Sequence, residues 1–425
     1  MSSTDESNIA VDHVAPSAEA PTKVNGLFLT LFGLMNFGLY LTVMMPALFS
    51  LPYKVQLLAP DDKAVTLGMV AAIGAVVSII TGPVAGVLSD HTRSRWGRRR
   101  PWLFGGILVV FVGSITVALA PSVAILTVGW VIVCIGGAGT GAAITPVVAE
   151  RVPEPQRGTV GAIVGVATQL GGVLGYTIGG MLTGNLVLLF ALPVIVLGVF
   201  ALIYSLVYPD STAPVEHTTV GETFKLLIFN PLTHRDFSLV WVGKFLMQTA
   251  LAFLTTYQLY FLADRLGFTA EEAGQKLALV GGIGILVTMG FAVGSGLLSD
   301  RLRRRKAFIL TASVLTAAGL TLMAFTDGFG LFFAAVMFVL GAAGMFGATD
   351  VAMASDLVPE REQAGRWMAI YNLAATLPGA LAPLIGSSLL LLGDPAGGNY
   401  TAMFLTGAVI ALGTGFVTFF IRGVR

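Results

Sequence analysis

Charge is what this chain has least of. Asp, Glu, Lys and Arg make up 11% of its 425 residues, where a soluble domain carries about a quarter. A soluble fold of this length is therefore excluded. Cysteine is scarcer still: Cys134 stands alone inside an apolar block, so no internal disulfide can form and the redox compartment stays open. The four histidines (His13, His91, His217, His234) all fall in the tail or in loops, with none in a span to serve a nucleophile. No GxxxxGK[ST] and no HExxH occurs. An enzyme and a directly ATP-driven pump are set aside, and no cofactor or metal is expected. A net charge of +1 implies no bulk attraction to nucleic acid. The N-terminus, MSSTDESNIAVDHVAPSAEAPTK, lacks the basic start and apolar core of a cleavable signal. It reads as a disordered tail over 1–25, with the first span as an uncleaved insertion signal.

What the chain has is apolar length. Hydrophobic residues form 55% of it, in blocks long enough for a helix to cross a hydrocarbon core of ~30 Å. Hydropathy predicts spans near 26–50, 64–89, 101–120, 122–149, 159–183, 186–208, 238–263, 274–298, 307–325, 329–354, 367–390 and 398–421. The longest polar interval, 209–237, separates spans six and seven. The expected organisation is an N-terminal six-helix bundle over 26–208, a cytoplasmic linker over 209–237 and a C-terminal bundle over 238–425. Cations settle the expected orientation. Alternate loops hold Arg93, Arg95, Arg98, Arg99 and Arg100, then Arg151 and Arg157, Lys225 and Arg235, Arg301 and Arg303 to Lys306, Arg361 and Arg366, and Arg422 and Arg425. The opposite loops hold only Lys54, Lys63, Arg265 and Lys276. By the positive-inside rule the first set and both termini are cytoplasmic, in a plasma or bacterial inner membrane.

The two halves repeat. GVLSDHTRSRWGRRR from Gly86 matches GLLSDRLRRRK from Gly296, and VVAERVPEPQRG (147–158) matches MASDLVPEREQAG (353–365) at nearly the same offset. Two six-span halves in the same order make a parallel duplication. At these residues the chain resembles the major facilitator superfamily. Gly86, Asp90, Gly97, Arg98 and Arg99 fill its loop pattern between spans two and three, with three extra residues before the second glycine. The longer form, SDHTRSRWGRRRPW, is similar to glycoside–pentoside–hexuronide porters and sucrose-type transporters, as are PVVAERVPEPQRG, GGVLGY and NLAATLPGALAP. His91 departs from the pattern, which has Arg or Lys there; a pH-sensitive gate and a partly solvated loop residue with no role are the two readings of it. The resemblance implies an all-α membrane fold of twelve transmembrane helices in two pseudo-symmetric bundles that rock about a central site. It also implies a cytoplasmic gate. In the first half Asp90 and the arginines, Arg95, Arg98 and Arg99 among them, face Glu150 and Glu154. In the second, Asp300, Arg301, Arg303, Arg304 and Asp356 do the same.

Charge within the spans is confined to Asp350 in span ten and Lys244 in span seven. Each costs at least ~2.5–3.5 kcal/mol at mid-span and points to function. By the resemblance spans one, four, seven and ten line the cavity, so the two are expected to pair across it. Proton coupling, a static salt bridge and a snorkelling lysine are the alternatives there. The resemblance implies that sodium coupling would use acids in spans two and four; no carboxylate falls within the N-terminal spans, which favours protons or facilitated diffusion. Asn36, Tyr40, Thr168, Gln169, Gln248, Thr255, Tyr257, Gln258 and Asn372 are neutral polar candidates for the cavity, and with Lys244 they suit a sugar or similar neutral solute. Gly161, Gly165, Gly171, Gly175, Gly179, Gly290 and Gly294 are spaced for close helix contact. The expected partners are the lipid bilayer, a small solute and protons, and a monomer suffices. Proton-driven export of drugs or metabolites, and a non-transporting sensor or scaffold, stay open as other readings.

Overall fold

The structure, a computed structural model, describes residues 23–210, 221, 230–231, 233–360, 363–393 and 398–422. The expected tail, apart from residues 23–25, and most of the expected linker lie outside the described residues. So do His13, His217, Lys225, Arg361 and Arg425.

In hydrocarbon every backbone polar group must find its partner within the segment, so each apolar block becomes a helix. Among the described residues twelve helices are long and apolar enough to cross a membrane. They are α1 (Gly26–Leu58), α2 (Lys63–His91), α3 (Arg100–Leu119), α4 (Val123–Arg151), α5 (Glu154–Met181) and α6 (Leu186–Val207) in the first half. The second half has α7 (Arg235–Asp264), α8 (Ala270–Leu302), α9 (Arg305–Ala324), α10 (Phe329–Asp356), α11 (Arg366–Leu390) and α12 (Tyr400–Phe419). No strand occurs among the described residues.

Polar caps start several of these helices. Asn25, Ser122, Asn185 and Asn399 each accept the N–H three residues on, and Thr269 with Glu272 forms a capping box before α8. Prolines mark the interruptions. α1 passes through a π turn at Pro46–Ser50 and continues to Leu58, past the expected end at residue 50. α4 breaks at Thr145 and Pro146, and α11 at Leu377 before Pro378.

Glycine sets the closest contacts. On Gly106, Gly113, Gly129 or Gly136 a Cβ would lie 2.6–2.9 Å from a backbone nitrogen across the α3–α4 contact. Gly171, Gly175 and Gly179 of α5 likewise meet Leu41, Met45 and Phe49 of α1. Gly161, Gly165, Gly290 and Gly294 have open space beside them and hold no helix contact in this conformation.

The apolar interior divides in three. One cluster, including Met45, Leu126, Tyr176, Phe253, Phe261 and Phe332, draws on both bundles. A second, around Phe28, Phe32, Ala143 and Tyr204, belongs to the first bundle alone. A third, around Phe237, Met247, Phe346 and Trp367, belongs to the second bundle alone.

Candidate functional site

The shared cluster lies at the end of the molecule away from the arginine-rich loops. There α5 crosses α8 so closely that a Cβ on Gly274 would sit 2.9 Å from the Cα of Gly180. On the other side α2 meets α11, where a Cβ on Gly68 would sit 2.7 Å from the Pro383 carbonyl oxygen. Tyr257 donates to the Pro383 carbonyl at 2.5 Å and lies 3.4 Å from the Ala64 carbonyl. Tyr260 donates to Pro52 at 2.8 Å. The Gln258 amide donates to the Tyr176 hydroxyl, and Lys63 pairs with Asp264, so both contacts cross between bundles. At the arginine-rich end each bundle keeps its own core. Among the described residues no core cluster joins the bundles there, so they bound a cleft closed at the shared core.

In the first bundle the arginines converge on one acid. Arg99 lies 2.8 Å from Asp90 and 2.6 Å from Glu150, and Arg98 donates to the same Glu150 oxygen at 2.5 Å. Arg99 also donates to the Ala142 carbonyl at 3.0 Å. Gly97 turns the loop into α3 at φ +103°, a conformation L side chains rarely adopt, and a Cβ there would strike Asp210 at 2.3 Å. Asp210 in turn accepts the backbone N–H groups of Arg99 and Arg100, satisfying donors at the start of α3. Sequence reasoning missed Asp210, which lies just past α6 and reaches the loop only in three dimensions. Arg95 is exposed and outside this network, Glu154 pairs with Arg157 at 4.0 Å and with no other described residue, and a Cβ on Gly86 would meet nothing within 4 Å.

The second bundle departs from the expected residues. Arg305 lies 3.5 Å from Asp300, pairs with Asp356 and donates to the Ala352 carbonyl at 2.6 Å. Arg301 and Arg304 are exposed, and no ion pair among the described residues includes them. The reason is the turn: Arg303 takes the left-handed conformation, φ 52°, which ends α8 and aims the first residue of α9 at both acids. Each arginine cluster closes within its own bundle. Among the described residues no ion pair joins the bundles at this end.

The intramembrane charges meet in the second bundle. Lys244 Nζ of α7 lies 3.8 Å from Asp350 Oδ2 of α10 and 3.4 Å from the centre of the Tyr371 ring of α11. Tyr371 donates its hydroxyl to Asp350, which is 2% exposed. The pairing is therefore made inside one bundle rather than from bundle to bundle. Tyr371 carried no signal in the sequence: it is one aromatic among many until α11 is packed against α10.

The neutral candidates separate. Gln169, Thr255 and Asn372 are exposed, Tyr40, Thr168 and Gln248 half-buried. Tyr257 and Gln258 belong instead to the closed end, where both are buried between the bundles. Asn36 is buried too, its amide bonded to the Phe32 carbonyl of its own helix at 2.9 Å.

Comparison with known proteins agrees with this architecture. The family model described as Major Facilitator Superfamily matches residues 24–295 and 277–425. An ectoine/proline transporter of Corynebacterium glutamicum is 24% identical over 400 residues, covering 84% of this chain and 75% of that protein. A class G tetracycline resistance protein of Vibrio anguillarum is 26% identical over 359 residues, 82% of this chain and 86% of its own. A shorter match, 51% over 45 residues, joins 11% of this chain to 8% of an uncharacterized symporter of Synechocystis. Among solved structures, a nucleoside transporter variant superposes with a TM-score of 0.74 at 12% identity, covering 93% of this chain and 99% of that one. A bacterial homologue of the lysosomal transporter Spinster, inward-facing and occupied, superposes at 0.69 with 15% identity, covering 93% and 95%. These two likenesses are of fold.

Proposed function

The chain belongs to the major facilitator superfamily and is an integral, multi-pass membrane transporter, and on that premise we propose that it moves a small polar organic solute by alternating access, in symport with a proton taken up at Asp350. The observation that carries the reading is this carboxylate, 2% exposed within the spans and held by one ammonium and one phenol. A proton on Asp350 removes its attraction for Lys244. Tyr371 keeps a bond in both states, because a phenol can donate to a carboxylate or accept from a carboxylic acid. Protonation thus frees the lysine selectively, at a depth where an unpaired charge costs at least ~2.5–3.5 kcal/mol. That differential is what a ligand needs to shift a two-state equilibrium.

On this reading the arginine-rich end is cytoplasmic, by the positive-inside rule, and the conformation is inward-open. The Arg99–Glu150 and Arg305–Asp356 clusters are the gate, re-formed between the bundles when that end closes. Sugars are the first solutes to test. The exposed amides and hydroxyls of Gln169, Thr255 and Asn372, with Gln248 behind them, suit hydroxyl-rich solutes, and SDHTRSRWGRRRPW is similar to the glycoside-transporting branch. A single chain contains the whole cleft, so a monomer suffices.

The test is external pH in a lightly buffered suspension of de-energised cells expressing the protein. Mono- and disaccharides are added one at a time. Alkalinisation with one of them, absent in Asp350→Asn, is the expected result. An Asp350→Asn protein that still alkalinises the medium would remove the proton from Asp350.

A further inference from the structure

A second feature of the cleft lies in the first bundle. Between α1, α2 and α4, with α3 and α6 also lining it, there is a recess of about 330 Å³. Its walls include Leu39, Val43, Trp130, Val133 and Cys134. The hydroxyls that reach it are already engaged: Ser78 donates to Gly74 at 2.9 Å, Thr42 to Gly38 at 2.8 Å and Thr140 to Gly136 at 3.0 Å. The indole nitrogen of Trp130 is turned against α2, where a Cβ on Gly74 would be 2.2 Å away. The recess therefore presents mainly apolar surface to a solute, with its hydroxyls already bonded to their own helices.

Two of the helices that wall it reach the other bundle nearer the closed end. α2, one of its walls, packs on α11 at Gly68 and Pro383, and Phe49, just past Ala47 on its α1 wall, sits where a Cβ on Gly274 of α8 would be 3.1 Å away. At ~1.5 Å per residue, Trp130 and Cys134 lie roughly 11–17 Å from the closed-end start of α4. Thr255 and Gln248 lie roughly 14–24 Å from the closed-end terminus of α7. An apolar pocket in one wall thus stands at the depth of polar side chains in the other.

We infer that the solute is amphipathic: its polar head rests on α7 and α11, and an apolar ring or short alkyl group lodges in the recess between α1, α2 and α4. The inference rests on the transport reading above and names the class of solute for that cleft. An unsubstituted sugar in the recess would leave its hydroxyls unpaired against apolar walls, which disfavours it. An engineered apolar cavity of about 150 Å³ takes up benzene, so this recess has room for a group of about two rings. Burying such a group should tighten binding about ten- to a hundredfold over the methyl analogue.

Cys134, the only cysteine in the chain, reports on the recess directly. The rate of its alkylation by N-ethylmaleimide is measured in membranes with methyl, phenyl and 2-naphthyl β-glucosides and β-galactosides. The aryl glycosides should slow alkylation about tenfold at concentrations where the methyl glycosides do not. Ala138→Leu, which adds bulk inside the recess, should bring the two rates together. If Cys134 proves unreactive, Val133→Cys in a Cys134→Ser background is read in the same way. Equal rates with aryl and methyl glycosides overturn the inference, and so does protection by tetraphenylphosphonium with none by any glycoside. The outcome is separable from the proton reading. Asp350→Asn should keep the protection of Cys134 while losing alkalinisation, and failure of the recess leaves alkalinisation by a methyl glycoside untouched.

Discussion

Replacing Gly274 by alanine is expected to wedge the bundles apart at their closed end. The added methyl would meet Gly180 Cα at 2.9 Å, the Tyr176 carbonyl oxygen at 3.0 Å and Phe49 Cε2 at 3.1 Å. The first two are backbone atoms and cannot rotate away, so α5 and α8 must separate by a few tenths of an ångström. Overpacking of this kind costs about 1–3 kcal/mol. Only the conformation closed at that end bears the cost, so the equilibrium shifts roughly five- to a hundredfold toward the opposite opening. The Lys63–Asp264 pair at the same end is partly exposed, with side chains 18% and 30% accessible. Screened by water it is worth about 0–1 kcal/mol. Lys63→Ala should therefore move the equilibrium less than Gly274→Ala does. The assay is modification of Thr255→Cys, in a Cys134→Ser background, by a membrane-impermeant maleimide applied from the side away from the arginine clusters. The rate should rise in Gly274→Ala by the factor above. Unchanged labelling from both sides in a folded Gly274→Ala protein would refute the idea that the shared core sets the equilibrium.

Further outcomes follow from the arginine clusters. Arg99 is 8% exposed, so Arg99→Gln takes the arginine from Asp90, leaves Glu150 to Arg98 alone and should cost about 1.5–3 kcal/mol in thermal denaturation of the solubilised protein. Arg305 faces acids that are 68% and 49% exposed, so Arg305→Gln should cost only about 1 kcal/mol, and Arg304→Gln should stay within about 0.5 kcal/mol of the parent. A larger effect at Arg304 than at Arg305 would contradict the register described above. Gly97→Ala, at φ +103° and with its Cβ 2.3 Å from Asp210, should cost at least the ~1–3 kcal/mol of a strained backbone, read as a lower melting point; an unchanged melting point would remove the Asp210 contact from the loop.

The sequence by itself determined the class, the number of spans and the places where charge enters the membrane. These are legible because the bilayer acts locally. A helix must satisfy its own backbone and a span must be apolar along its length, so Lys244 and Asp350 stand out by being rare. The doubled loop was legible for the same reason, as a pattern read along the chain. What only the tertiary structure decided depends on which faces meet. Tyr371 joins Asp350 because α11 packs beside α10. Arg305 replaces Arg304 because one left-handed residue, Arg303, resets the register between α8 and α9. Tyr257 and Gln258 close one end instead of lining the cleft, because the bundles touch there. The recess beside Trp130 arises from five helices, none of which predicts it alone. Hydropathy places a side chain at a depth, but its neighbours are chosen by helix rotation and crossing, and those are settled by packing across the whole molecule.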